Sequence, residues 1–512
     1  MQHITGISRH QMRISSLEDA IAPDNQVRFI DAFVRFVDLS KLGFSVQTIK
    51  SEGRPSYNTQ VFLKIYLYGY LNGIRSSRKL EKESFRNIEV QWLIEGIRPN
   101  YHSISDFRKG NPVALKKLFK LFVSFLKDAD LIQGETIAID GTKSRAHNSK
   151  KANFNQKKID KHLEYIETKT QEYLDALEEN DAKENPVKIQ NIQQKIERLK
   201  LNKIRYELLE EKLKVSGEPQ ISTTDSDARA LLVQGQVVEI SFNMQAAVDA
   251  KHNLVVATHT INRNDRNALS AIAIEAKENL EIETYTALVD KGYHNGREIE
   301  TCKQANITTI VAQPEQGKSN ENGTTKDYLV SKFQYDKITD TYTCPQGETL
   351  KTTGSWYKKT TDRDSYEFKR YRTPKCRECP VKHLCTSRMA GRDIDRSQYA
   401  DAVEENNKRY HANAQLYRKR QEINEHIFGT IKRQWGYNHT NLTGLEKVNG
   451  EHSLIMLVYN IKRSINILGV PELIAKLKKW DSPYKAKSLF LLKTEYLKLN
   501  TTYNFYPMKF AA

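Results

Sequence analysis

Between residues 23 and 130 apolar positions recur every three or four residues, as in NQVRFIDAFVRFVDLSKLGF, TQVFLKIYLYGYLNGIRSSRKLEKESFRN and NPVALKKLFKLFVSFLKDADL. That is the period of helices with one buried face, and it predicts a helical domain. The period changes at ETIAID, an apolar, β-branched run that predicts a strand ending on Asp140 and followed by Gly141. From Lys151 to Leu213 the helical period returns. Ile159, Leu163, Ile166, Thr170, Tyr173 and Leu177 follow 4-3 spacing, EENDAKENP interrupts it, and Ile189, Ile192, Ile196 and Leu199 resume it. Two amphipathic helices joined by a turn predict an antiparallel hairpin, inserted for contacts or assembly. Alternation in VVEISFNMQAAVDA and LVVATHTIN, separated by KHN, predicts a β-hairpin. A helix in NALSAIAIEAKENL leads to YTALVDKGYHNG, where a second short strand ends on Asp290.

Strand with Asp140, antiparallel strands, helix, strand with Asp290 is the order of a mixed α/β layer in which the two acid-bearing strands can be neighbours. A third carboxylate lies in YRKRQEINEHIFGTIKRQWG, helical over its first two-thirds, where Arg418, Glu425 and Lys432 are seven residues apart and fall near one stripe of the helix. Asp225, Asp227, Asp249 and Asp265 are read as caps and turn residues.

In 512 residues, 38% apolar, there is material for real cores, and 80 Lys and Arg against 63 Asp and Glu leave a formal charge of +17. The excess suits a polyanion, nucleic acid first. Arg75, Arg78, Lys79, Arg108 and Lys109 are read as lining a DNA backbone or as a solvated helix face. No apolar run reaches membrane-helix length and the N-terminus has no signal-peptide core, so a cytoplasmic, nucleoid-associated protein is expected.

Five cysteines are too few for a disulfide framework in so long a chain. Cys344, Cys376, Cys379 and Cys385 include a C-x2-C pair, which suits a structural Zn²⁺ with four ligands, His383 being able to replace one; reduced thiols without metal are the alternative. Cys302 reads as core. FQYDKITDTYTCP and SYEFKRYRTP predict a small β-rich insertion whose aromatics are read as local core, with DNA contact as the other reading.

Taken together, GRPSYNTQVFLKIYLYGYLNGIRSSRKLE, IAIDGTK, LVDKGYHNG and NEHIFGTIKRQWG resemble an insertion-sequence transposase of the DDE, ribonuclease H-like superfamily. The resemblance implies a helical DNA-binding domain over 1–130, a ribonuclease H-like core from 131–150 and 216–315 completed by helices over 401–475, a helical-hairpin insertion over 151–215, a β-rich insertion over 316–400 and a tail over 476–512. It implies Asp140, Asp290 and Glu425 as the acidic triad holding two Mg²⁺ or Mn²⁺ ions. Lys432, Tyr417, Lys143, Lys291, Arg78, Arg108 and either Arg418 or Arg420 would contact DNA. Substrates would be double-stranded DNA, both terminal inverted repeats and target, handled by a homodimer. The alternatives are a transposase-derived regulator without catalysis and a ribonuclease H-like nuclease.

Overall fold

The computed structural model describes residues 8–486, apart from Arg9, Arg13, 46–55, Ser149, 182–185, 234–236, 315–323 and 362–363. The chain forms two compact units: Met1–Gln133, Gly141–Asn264 and Asn424–Ala512 make the first, Gly134–Asp140 and Asp265–Ile423 the second.

In the first unit the N-terminal helices are α1 (Gln26–Phe36), α2 (Thr59–Leu71), α3 (Ser77–Arg86), α4 (Ile88–Leu93), α5 (Tyr101–Gly110) and α6 (Pro112–Asp128). Asparagine side chains cap α1, α2, α4 and α5, each accepting from a backbone N–H of the first turn. Helix α2 buries almost every residue. A later helix of the same unit, α14 (Leu445–Leu468), is buried over most of its length. At Gly450 it meets α6 so closely that an added Cβ would stand 2.6 Å from Cα of Pro112. Beyond α14 lies α15 (Val470–Lys479); the part of the expected tail from residue 487 falls outside the described residues.

Strand β1 (Thr136–Arg145) runs five residues past the expected end at Asp140. Its extension is held by partners distant in sequence: Arg145 N–H donates to the Asn438 carbonyl, Thr440 N–H to the Arg145 carbonyl, and Ala146 N–H to the Ile240 carbonyl. After β1 come β2 (Asn153–Phe154), α7 (Gln156–Asp181), α8 (Pro186–Ser216) and β3 (Ile221–Ser222). The helices form the expected hairpin, and β2 pairs with β3 at its base. Strands β4 (Arg229–Val233), β5 (Val237–Asp249) and β6 (Leu254–Ile261) are antiparallel, β5 and β6 making the hairpin read from alternation.

In the second unit β1, β7 (Tyr285–Val289) and β8 (Ile307–Val311) are parallel, with α9 (Leu269–Leu280), α10 (Gly296–Gln304) and, later in the chain, α12 (Ala400–Ala412) beside them. Hydrogen bonding orders the strands β4-β5-β1-β7-β8, with β6 on β5, a ribonuclease H-like mixed sheet flanked by helices. Between β8 and α12 lies a second sheet of β9 (Gln334–Asp336), β10 (Thr341–Thr343), β11 (Thr349–Thr361), β12 (Asp364–Arg372) and β13 (Ile394–Ser397), with short α11 (Lys382–Cys385). Phe333, Tyr342, Leu350, Tyr371 and Ile394 form its core. Of the aromatics read as local core, Phe333, Tyr342, Phe368 and Tyr371 are buried; Trp356 and Tyr357 on β11, outside the stretches so read, are 50% and 42% exposed. Lys369, opposite Trp356 on the ladder, lies over its ring, 5.3 Å from the centroid.

Candidate active site

Asp140 and Asp290 come together because β1 and β7 pair in parallel from Thr136↔Thr286 to Ile139↔Val289. Asp140 is the next residue of β1 and Asp290 the residue just past the end of β7, so both follow the last paired position, Ile139↔Val289, where the strands run roughly one spacing, about 4.8 Å, apart. Ile137, Ala138, Ile139, Ala287, Leu288 and Val289 are all buried, so both faces of this parallel pair are covered, as an apolar run without alternation requires. Both carboxylates remain accessible, 29% and 40% exposed.

One guanidinium spans them. Arg420 lies on α13 (Ala414–Gly429); its Nη1 donates to Oδ2 of Asp140 at 3.3 Å, and its Nη2 stands 3.4 Å from Oδ1 of Asp290. The choice left open between Arg418 and Arg420 thus falls on Arg420 for contact with the acids; Arg418, about 200° around the helix, is exposed. The Tyr417 ring backs Arg420 at 5.6 Å. Burial raises the Tyr417 hydroxyl pKa, Arg420 opposing the shift, so the phenol stays neutral beside the pair. Asp265, read as a turn residue, borders the same place: a Cβ on Gly292 would lie 3.8 Å from Oδ2 of Asp290 and 4.0 Å from Oδ2 of Asp265. No spacing in the sequence signals that neighbour. Lys291, in the turn after Asp290, is exposed.

Glu425 is exposed on α13, five residues beyond Arg420. Beside it Asn424 is buried, and neither its amide oxygen nor its nitrogen has a hydrogen-bond partner. The helix then widens into a π-turn, Thr430–Gln434, that carries Lys432. Lys432 Nζ donates to Oγ1 of Thr142 and to the Lys143 carbonyl, both at 2.9 Å. Burial lowers its pKa, with Glu239 opposing the shift and Lys143 adding to it. Two cations thus share the far half of β1.

The N-terminal arginines divide. Arg78 is exposed, its guanidinium over the Tyr101 ring. Arg75 and Arg108 are buried and do not line a surface. Arg108 donates to the Tyr70 hydroxyl at 2.7 Å, Arg75 to the His439 carbonyl at 2.7 Å, and both stand 3.7 Å from the buried carboxylate of Glu451. Asp225 and Asp227 are caps, as read, accepting from the backbone N–H groups of Gly444 and Leu445 at the start of α14.

All five cysteines are reduced. Burial of Cys302 pushes its thiol up to about 12, in keeping with a core residue. Burial raises the Cys385 thiol as well; Arg392 opposes this, and Cys376, Cys344 and Cys379 lie near enough to add to it. Among the described residues no group of three or more His, Cys, Asp or Glu side chains is arranged to hold a metal ion. The donor chemistry at Asp140 and Asp290 is that of a hard divalent cation's ligands, two carboxylate side chains that both face the Arg420 guanidinium. Among the described residues no helix is long and apolar enough to cross a membrane.

Residues 15–110 match the family described as Transposase domain (DUF772), and residues 343–465 match Transposase DDE domain. The second match takes in the four clustered cysteines, Glu425 and Lys432, while Asp140 and Asp290 lie outside both. No curated protein matches the chain. A cryo-EM structure of the piggyBac transposase synaptic complex with hairpin DNA aligns over 95% of this chain and 87% of that one, at 8% identity and a TM-score of 0.27, too slight a likeness to bear on the fold. Two transposase domains are thus recognised in the chain, one before and one after the strands that lead to Asp140 and Asp290.

Proposed function

We propose that this DNA transposase binds the terminal inverted repeats of its element, cleaves a phosphodiester at each end and transfers the freed 3′ end to target DNA. The observation that carries this reading is the pairing of β1 with β7, which sets Asp140 and Asp290 side by side under one cation. Asp140, Asp290 and Glu425 would hold Mg²⁺ or Mn²⁺, two ions in all. A divalent cation bound there supplies charge stabilisation and an activated hydroxyl for in-line displacement at phosphorus.

The chain's own residues position the DNA. Lys432 and Lys143 repel each other on the far half of β1, and a backbone phosphate relieves that repulsion while fixing the strand without reading its sequence. Thr142 and the Lys143 carbonyl aim the Lys432 ammonium. Arg420 offers a planar fork to a second phosphate. The buried amide of Asn424, with both donor and acceptor unused, orients a water or a phosphate oxygen. Exposed Arg78, with Lys79 on the same helix, supplies backbone contacts, and base readout falls to the N-terminal helices.

Two ends must be held together, which calls for a homodimer on DNA, acting in the cytoplasm at the nucleoid. The four sulfurs of the β-rich insertion would hold a structural Zn²⁺, and one equivalent of zinc, measured in purified chain and lost in Cys376→Ser, is the expected result. A regulator without catalysis draws support from Arg420 already facing both aspartates. End-labelled DNA carrying the terminal repeat, incubated with Mg²⁺ or Mn²⁺, separates the two. Nicking at the repeat boundary that disappears in Asp140→Asn is expected; binding without nicking by the native chain would establish the regulator.

A further inference from the structure

We propose that Arg420 is the built-in counter-ion of Asp140 and Asp290, so that arginine and divalent metal compete for the same carboxylates and DNA settles the contest by drawing the arginine onto a phosphate. This rests on the reading of the two aspartates as metal ligands.

Three observations carry it. First, Arg420 does not pair with one acid but straddles two, one terminal nitrogen to each, at 3.3 and 3.4 Å. Two adjacent carboxylates repel, and a guanidinium placed between them offsets that repulsion. Second, the hold is loose. Charge-assisted N–H···O contacts close to about 2.7–2.9 Å when geometry is good, and these contacts are several tenths of an ångström longer. Arg420 is only 15% exposed, yet its Nε has no hydrogen-bond partner. A buried guanidinium with an unused donor gains from any partner that engages Nε and a terminal nitrogen together, which a phosphate does in bidentate fashion. Third, the acids have little reach and the arginine has much. Asp140 on β1 and Asp290, just past the end of β7, carry short side chains, whereas Arg420 carries its guanidinium on a long stem from α13, beside the ring of Tyr417.

A carboxylate pair shared with arginine binds metal only in the fraction of molecules in which the arginine is away, so the apparent affinity falls by that fraction. DNA that removes the arginine raises metal affinity, and by reciprocity metal raises DNA affinity by the same factor. The chain is thereby kept from loading metal until a phosphodiester is present. Arg420 is in this respect a positioning residue, acting through the two aspartates.

Mn²⁺ binding to the full chain without DNA, followed by electron paramagnetic resonance, tests this in the native chain, Arg420→Gln, Arg420→Lys and Asp140→Asn. Arg420→Gln should bind Mn²⁺ about tenfold more tightly than the native chain, with Arg420→Lys in between. In parallel, affinity for a short duplex of unrelated sequence, read by fluorescence anisotropy, should rise with Mn²⁺ in the native chain and not in Arg420→Gln. Unchanged or weaker Mn²⁺ binding in both arginine variants, with Asp140→Asn still losing it, would overturn the competition and leave the metal site standing. Full Mn²⁺ binding by Asp140→Asn would instead remove the aspartates as ligands and the proposal with them.

Discussion

Glu451 and the pair Asp140 and Asp290 are both carboxylate sites faced by arginine, yet they are built to opposite ends. Glu451 is buried and accepts from the backbone N–H groups of Asn441 and Leu442, the Asn441 amide and the Tyr70 hydroxyl, with Arg75 and Arg108 close by. Burial pushes its pKa up, but Arg108, Arg75 and the Asn441 N–H outweigh that and hold it below the usual range. Its lone pairs are taken by the fold. The aspartates stand open to water and share one arginine at long range. A satisfied buried carboxylate ties elements together, whereas an accessible pair sharing one cation is ready to exchange it.

That contrast can be broken at either site. Asp290→Asn should cut DNA cleavage roughly a thousandfold or more while the melting temperature stays put, because the amide keeps the shape and loses the charge. Glu451→Ala should do the reverse. It leaves two buried arginines without their carboxylate, costing about 3–5 kcal/mol in denaturant unfolding, with cleavage per folded molecule unchanged.

His452, next to Glu451, sharpens the comparison through pH. Burial lowers its imidazole pKa to about 4, Glu451 opposing the shift and Arg75 adding to it. The unfolded chain takes a proton there below about 6.5, while the folded chain resists down to about 4. The stabilisation is therefore complete above about 6.5 and is lost as the pH falls toward 4, a change of about 3 kcal/mol. Unfolding free energies measured across that window should slope for the native chain and flatten for His452→Asn. The smallest effect belongs to Lys432→Ala, which should weaken binding to any duplex and lower the dependence on salt by about one phosphate contact.

Local periodicity made much of the scaffold legible. The β5–β6 hairpin, the two acid-bearing strands and the α7–α8 hairpin follow from patterns within a few dozen residues. What escaped depends on partners far along the chain. Arg75 and Arg108 sit among helix residues whose spacing suits a charged surface, and only Glu451, more than three hundred residues away, reveals them as interior. Strand β1 passes Asp140 because Asn438 and Ile240 hold its far end. Arg418 and Arg420 lie on one helix, and nothing in its own sequence says which side turns toward the acids.

The base of the helical hairpin bears on how this chain tolerates change in length. Because β2 and β3 pair through Asn153↔Ser222 and Phe154↔Ile221, the segment leaves and rejoins the fold at nearly the same point. Phe154, Ile159, Leu209 and Leu213 close a small core just above that clasp. Everything beyond is a lever whose length the rest of the unit does not feel, since the entropy of closing so long a loop grows only with the logarithm of its length. The clasp thus makes the hairpin a module, open to trimming, lengthening or exchange for a foreign domain at the turn between α7 and α8, with the sheet left undisturbed.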